Sequence, residues 1–282
     1  MNGFQVKNFI RLRSIFRTKE WDKNVEEEYV FASFSELLNN LTEDEQELML
    51  DLIERYLWID NSKYIPLLRD VLTEKGCSDD LGAFKNVYFF PVIKPKDQNK
   101  TKSGNLLIYQ IQTIKRMLIE PLKSRNIQVL ENFADLSEDI FQLTEDDVLV
   151  LIDDFLGTGK TIDSTIQKVL ENKTIKASKI RVVGFTALKI AIDFLNDNNI
   201  RSYMLNVLLK GITDHYAEDR LVKLALMKKI EKMSIASKNY KMGFEGSEAL
   251  VTMARTPNNT FSIFWASHVK DDKEYSAAFP RF

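Results

Sequence analysis

The stretch Val148-Leu149-Val150-Leu151-Ile152-Asp153-Asp154-Phe155-Leu156-Gly157-Thr158-Gly159-Lys160-Thr161 constrains this chain most. Five apolar residues follow one another without a polar break, the pattern of a short strand buried on both faces in a parallel sheet. Two adjacent carboxylates close the run, small residues follow, and Thr161 opens an amphipathic helix. An acidic strand end with a glycine turn into a helix N-terminus makes a place for a phosphorylated ligand, since backbone amides and the helix dipole there favour an anion. Gly157 and Gly159 let the backbone close on it. Lys160 either adds a full charge or points to solvent.

The surrounding pattern predicts how that strand is housed. From residue 86 the order reads strand (87–93), helix (105–118), strand (126–130), the acidic-ended strand, helix (161–172), strand (179–186), helix (187–196) and strand (200–209). Such alternation predicts an α/β fold with a mostly parallel, doubly wound sheet over about 86–215. Residues 1–80 read as a helical N-terminal extension. Phe4, Val6, Phe9, Ile10 and Leu12 mark a first helix, 25–40 a second, and Thr42-Glu43-Asp44-Glu45 a capping box opening a third. A helix over 67–74, with Pro66 at its start, is expected to stop at Gly76. This extension reads as a cap or dimerisation element outside the catalytic region. After a helix over 217–233, short strands are expected at 248–254 and 261–265 around the turn Pro257-Asn258-Asn259. The division is therefore 1–80 helical extension, 81–236 core and 237–282 C-terminal hood.

Composition narrows the function classes. The net charge is −2, from 39 basic and 41 acidic side chains, so bulk charge does not argue for a nucleic-acid or membrane partner. A single cysteine, Cys77, excludes an internal disulfide framework and fits a reducing, cytoplasmic setting. Apolar runs fall short of the ~20 residues a membrane span needs, and no secretory signal is read. The loop 94–104 carries four lysines and no apolar anchor, so it is expected to be mobile. His215 and His268 stand alone and read as surface histidines; Asp214-His215-Tyr216 follows a strand end and could line the mouth of the site. Gly159-Lys160-Thr161 does not complete a P-loop, because Asp154 stands where its first glycine belongs.

The stretch 149–161 resembles the type I phosphoribosyltransferase signature: four apolar residues, an acidic pair, two apolar residues, then small residues with Thr and Gly. Phe155 is bulkier than usual, and Gly157 replaces the commoner Ala, Ser or Thr. The resemblance implies 5-phosphoribosyl-1-pyrophosphate (PRPP), or a phosphoribosyl nucleotide, as ligand, with Mg²⁺ carried on the pyrophosphate and Asp153 and Asp154 as candidate protein contacts to it. It further implies that Asp153 and Asp154 receive the ribose hydroxyls. Leu156, Gly157, Thr158, Gly159, Lys160 and Thr161 would hold the 5-phosphate. Lys102, Ser103 and Gly104 would form the pyrophosphate loop, with Lys102 balancing charge on the leaving group. Lys102-Ser103-Gly104, Thr256-Pro257-Asn258-Asn259-Thr260 with its aromatic sequel, and Phe279-Pro280-Arg281 are together similar to the PRTase-CE branch of bacterial conflict systems. That implies an antiphage effector working with an operon-encoded protein or nucleic acid, with a homo-oligomer left open. The reading leans to a pentosyl transferase, with a non-catalytic PRPP or nucleotide sensor or assembly module as the alternative. Its acceptor is not legible.

Overall fold

The computed structural model describes residues 6–100 and 102–281, so Phe4 of the first expected helix and Thr101 of the lysine loop lie outside the described residues. Along the chain the main elements are α1 (Val6–Thr18), α2 (Glu27–Asn39), α3 (Glu43–Arg55), β1 (Leu57–Trp58), α4 (Tyr64–Thr73), α5 (Lys75–Gly82), β2 (Asn86–Pro91), α6 (Ser103–Ile114), β3 (Asn126–Val129), β4 (Asp147–Leu156) and α7 (Lys160–Val169). There follow β5 (Ile180–Leu188), α8 (Lys189–Asp197), β6 (Arg201–Leu208), α9 (Arg220–Glu231), β7 (Val251–Thr252), β8 (His268–Lys270) and β9 (Lys273–Tyr275).

Residues 60–208 form one compact unit, built on a five-stranded parallel sheet in the order β3-β2-β4-β5-β6. The doubly wound α/β architecture expected from the alternation is present. All ten residues of β4 are buried, as an unbroken apolar run requires of a central parallel strand. Leu149 and Leu151 face one side, where Ile162, Ile166 and Val169 of α7 and Ala191 and Leu195 of α8 cover them. Strand alternation turns Val148, Val150 and Ile152 to the other side, where α4 and α6 pack against the sheet and each other.

Residues up to Ile59, together with those from Leu209 onward, form the second unit. The element pattern placed divisions at 80/81 and 236/237, whereas the unit edges fall at 59/60 and 208/209. The difference at the first edge lies in α4 and α5. A tail such as 209–282 can join a remote helical segment without any composition signal. Thr42 and Glu45 do make the expected capping box, with the Thr42 N–H 2.8 Å from Glu45 Oε2. The core is aromatic: Tyr56 stacks on Phe279 at 5.1 Å, with Phe16, Trp21, Phe34 and Phe264 around them.

Several local expectations are corrected. Residues 261–265 hold a 3-10 turn at Ser262–Phe264 where a strand was expected, because the buried Glu231 carboxylate takes the Ile263 N–H at 2.8 Å and the Ser262 hydroxyl at 2.7 Å. The strand expected over 248–254 shortens to β7, which pairs in parallel with β1. Gly76 does not end a helix; Glu74 caps α5 by accepting from Cys77 N–H at 3.1 Å, and Cys77 is buried inside that helix. His268 is not a surface histidine. It is 1% exposed and stacked on Tyr275 at 5.2 Å, and burial pulls its pKa down to about 4.

Candidate functional site

The chain passes from β2 to β3 on one side and from β4 to β5 on the other, so the connections diverge between β2 and β4. Ligands of open α/β sheets bind at the carboxyl ends of the strands at such a point. The loops following β2 (92–102) and β4 (157–159) both open there. The last β2–β4 rung has Val92 N–H donating to Ile152 O at 2.9 Å. Asp153, Asp154, Phe155 and Leu156 continue beyond it against β5 alone, with Asp153 opposite Gly184. The acidic pair therefore sits inside a strand, on an edge that β2 has vacated.

Each carboxylate is held by a hydroxyl from outside the strand. Ser103, the first residue of α6, donates its Oγ–H to Asp153 Oδ1 at 2.8 Å, and Asp154 N–H donates to the same oxygen at 3.0 Å. Tyr64, the first residue of α4, donates its phenol to Asp154 Oδ2 at 2.5 Å. No cation accompanies either carboxylate in these contacts. Burial, and then the negative charge of Asp154, push the Asp153 carboxyl well above its ordinary range, against the smaller help of the Ser103 hydroxyl.

The phosphate side of the site is a helix N-terminus. Gly159 caps α7 at φ +86°, in the left-handed region that favours glycine, and packs under Phe194 of α8. Gly157 and Thr158 are half-buried before it, and Lys160 is exposed at the first position of α7. Leu156, by contrast, points into the apolar core under α7. Thr165 ties α7 to the end of β2: its hydroxyl accepts from Ile93 N–H at 3.1 Å and lies 2.9 Å from the carbonyls of Ile93 and Thr161. The loops after β2 and β4 are thus fixed to each other from below.

The lysine loop has local order that composition did not reveal. A 3-10 turn spans Pro95–Asp97, and Asp97 pairs with Lys100 at 2.6 Å and Lys102 at 3.7 Å. Gln98 accepts from Phe133 N–H at 3.3 Å. Gly104 permits the close approach of α6, since a Cβ there would lie 3.0 Å from Pro91 Cβ and 3.2 Å from Ile152 O. Gly184 does the same for β5, where a Cβ would fall 2.6 Å from Asp153 O.

The structure brings Asp153, Asp154, Ser103 and Gly104 together at one sheet edge and starts the phosphate-type turn two residues beyond. Lys102 is on the same loop, turned to Asp97. Sequence reasoning missed Tyr64, Thr165 and Gly184. Tyr64 lay in the helical stretch read as non-catalytic, ninety positions from its partner, and no local pattern pointed to it. Thr165 carried a usable signal, a polar residue on the buried stripe between Ile162 and Val169. In the other unit, Asp214 accepts from Lys210 N–H at 2.9 Å, and Tyr216 donates to Asp51. Asn259 is 8% exposed and bonded to Ser247. Among the described residues, no group of three His, Cys, Asp or Glu could hold a metal ion, and no helix is long and apolar enough to cross a membrane.

Sheet order, switch-point loops and the acidic strand end define an α/β domain of phosphoribosyltransferase type. The chain belongs to the PRTase-CE family, which it matches over residues 34–281. Among solved structures it is similar to orotate phosphoribosyltransferase from Aeropyrum pernix, at 19% identity over 59% of this chain and 78% of that one, with a TM-score of 0.33. It is also similar to the AQ2163 protein from Aquifex aeolicus, at 11% identity over 64% of this chain and 84% of that one, with a TM-score of 0.31. No curated protein matches.

Proposed function

We propose that the carboxyl edge of β4 binds PRPP with Mg²⁺ and that the protein transfers its phosphoribosyl group to an acceptor, or releases it to water. The observation that carries this reading is the acidic pair on the vacated edge of β4, five positions before Gly159, which caps the N-terminus of α7. That spacing suits a sugar diol joined to a phosphate. The α7 amides, with Thr158 and Thr161, hold the 5-phosphate, and the buried carboxylates accept from the ribose hydroxyls.

The residues present fit an ion held by ligand oxygens and not one held by the protein, because the two carboxylates are already engaged by hydroxyls and, among the described residues, no third ligand joins them. When bound, Mg²⁺ lowers the charge on the leaving pyrophosphate. The chain's own residues do the positioning. The diol is fixed below and the phosphate beside it, so C1 is held toward the lysine loop. The C1–O bond breaks with its electron pair leaving on pyrophosphate, Lys102 balances that charge, and the acceptor's lone pair closes on C1. Catalysis of this kind is placement plus electrostatics. The family resemblance extends the reading to a cytoplasmic effector of antiphage defence acting with a protein or nucleic acid of its own operon.

One observation favours a second reading. Lys102 is paired with Asp97 of its own loop, and turnover requires that pair to open. A sensor that binds PRPP without consuming it requires no such step. Phosphorus NMR of PRPP, Mg²⁺ and pooled cell metabolites separates the two. Pyrophosphate released by the wild type and not by Asp153→Asn supports transfer. Binding without release supports the sensor. A protein that neither binds nor consumes PRPP sinks both.

A further inference from the structure

The two carboxylates are adjacent in sequence and close enough to interact, yet each is held by a different hydroxyl. Tyr64 is fully buried, so its phenol cannot reach a ligand, and its hydroxyl is committed to Asp154 Oδ2 at 2.5 Å. Its ring stands edge-on to Phe185 of β5 at 5.1 Å and 90°, which fixes the phenol's direction. A buried hydroxyl deprived of its acceptor carries the full cost of its lost hydration, so Asp154 cannot turn away toward a sugar freely. Asp153 is held differently. Its side-chain partner is Ser103, at the mouth of the loop after β2, where an incoming hydroxyl can replace one O–H donor by another. One carboxylate has two acceptor oxygens, enough for both hydroxyls of a cis-diol.

We infer that Tyr64 is a positioning residue that keeps Asp154 out of direct sugar contact and leaves Asp153 as the carboxylate that receives the ribose diol. This rests on the phosphoribosyl reading above and departs from the expectation that the two acids share the sugar. It also makes α4, which lies N-terminal to the sheet's first strand, part of the site. Asp154 then acts as a buried brace: through its backbone N–H on Asp153 Oδ1 it sets the direction of the working carboxylate.

The test is titration calorimetry of the full chain, in Mg²⁺, with PRPP, ribose 5-phosphate and inorganic pyrophosphate. Asp153→Asn should weaken both ribose ligands by roughly thirtyfold or more and leave pyrophosphate within about twofold. Tyr64→Phe and Asp154→Asn should each weaken the ribose ligands by roughly five- to tenfold. Tyr64→Phe/Asp154→Asn should lose no more than either single variant, because the two residues act through one contact. Pyrophosphate, lacking a sugar, reports a purely structural loss and should not move. Thermal unfolding accompanies each variant; should Tyr64→Phe fail to fold, Asp154→Asn against Asp153→Asn decides the matter. The inference is overturned if Asp154→Asn is as damaging as Asp153→Asn, or if Tyr64→Phe is silent while the wild type binds; the phosphoribosyl reading then stands. A wild type that binds none of the three ligands overturns that reading itself.

Discussion

The two ends of the parallel sheet treat buried carboxylates in opposite ways. At the amino end, Asp80 of α5 meets Arg181 of β5 through two guanidinium nitrogens, and Arg201 of β6 at 2.8 Å. Burial pushes the Asp80 carboxyl up, but Arg181, Tyr203 and Arg201 outweigh it and hold the group below its ordinary range. At the carboxyl end, Asp153 has a serine hydroxyl, a backbone N–H and a like charge beside it, and is pushed up. One end is a closed, fully paired brace. The other carries a raised carboxyl on the vacated edge of β4, which supports the proposed ribose site. The same strands thus carry a paired brace at one end and the proposed site at the other.

That contrast can be broken from either end. The largest effect belongs to Asp80→Ala, which strands the 6%-exposed Arg181 without its partner. It should lower unfolding stability by about 3–5 kcal/mol in urea titrations, while the fraction that stays folded binds PRPP as the wild type does. Asp153→Asn should do the reverse, abolishing most PRPP affinity while leaving stability unchanged or raised by about 1 kcal/mol. The pH dependence follows the same signs. Asp80's contribution is fully present above the ordinary carboxyl pKa and is lost as pH falls through its depressed value. Asp153's raised pKa instead penalises the folded state above the ordinary value, and that penalty fades as pH falls. Acid unfolding curves of the two variants should therefore diverge from the wild type in opposite directions.

Smaller effects sharpen the picture. Gly184→Ala places a methyl 2.6 Å from Asp153 O and should cost about 1–3 kcal/mol, with a matching loss of ribose affinity because β4 must shift exactly where Asp153 sits. Lys102→Ala removes only a half-exposed, long ion pair and should change stability by less than about 0.5 kcal/mol. Its expected effect is on pyrophosphate release, read by phosphorus NMR, with PRPP binding retained.

How much of this was legible before folding differs between the units. The sheet was legible because β4 opens with an unbroken apolar run, strands and helices alternate along the chain, and the glycine turn after β4 marks its own place. The acidic pair and Ser103, which the structure brings together, are close in sequence to those signals. Tyr64 was not legible, because a long-range side-chain contact leaves no local trace, and the C-terminal segment was misread for the same reason. Glu231 bends 261–265 into a 3-10 turn from thirty residues away, and no periodicity within the segment records that. The Thr256 and Phe279 features of the family likeness serve the aromatic core, where Thr256 Oγ1 donates to Phe279 O at 3.1 Å.

The most direct test of the whole account is calorimetric titration of PRPP with Mg²⁺ into the wild type and Asp153→Asn, with urea unfolding of both. The account predicts saturable binding by the wild type, its near loss in Asp153→Asn, and equal or higher stability in the variant. Equal binding by the two proteins, or a variant that loses affinity only because it unfolds, would contradict it.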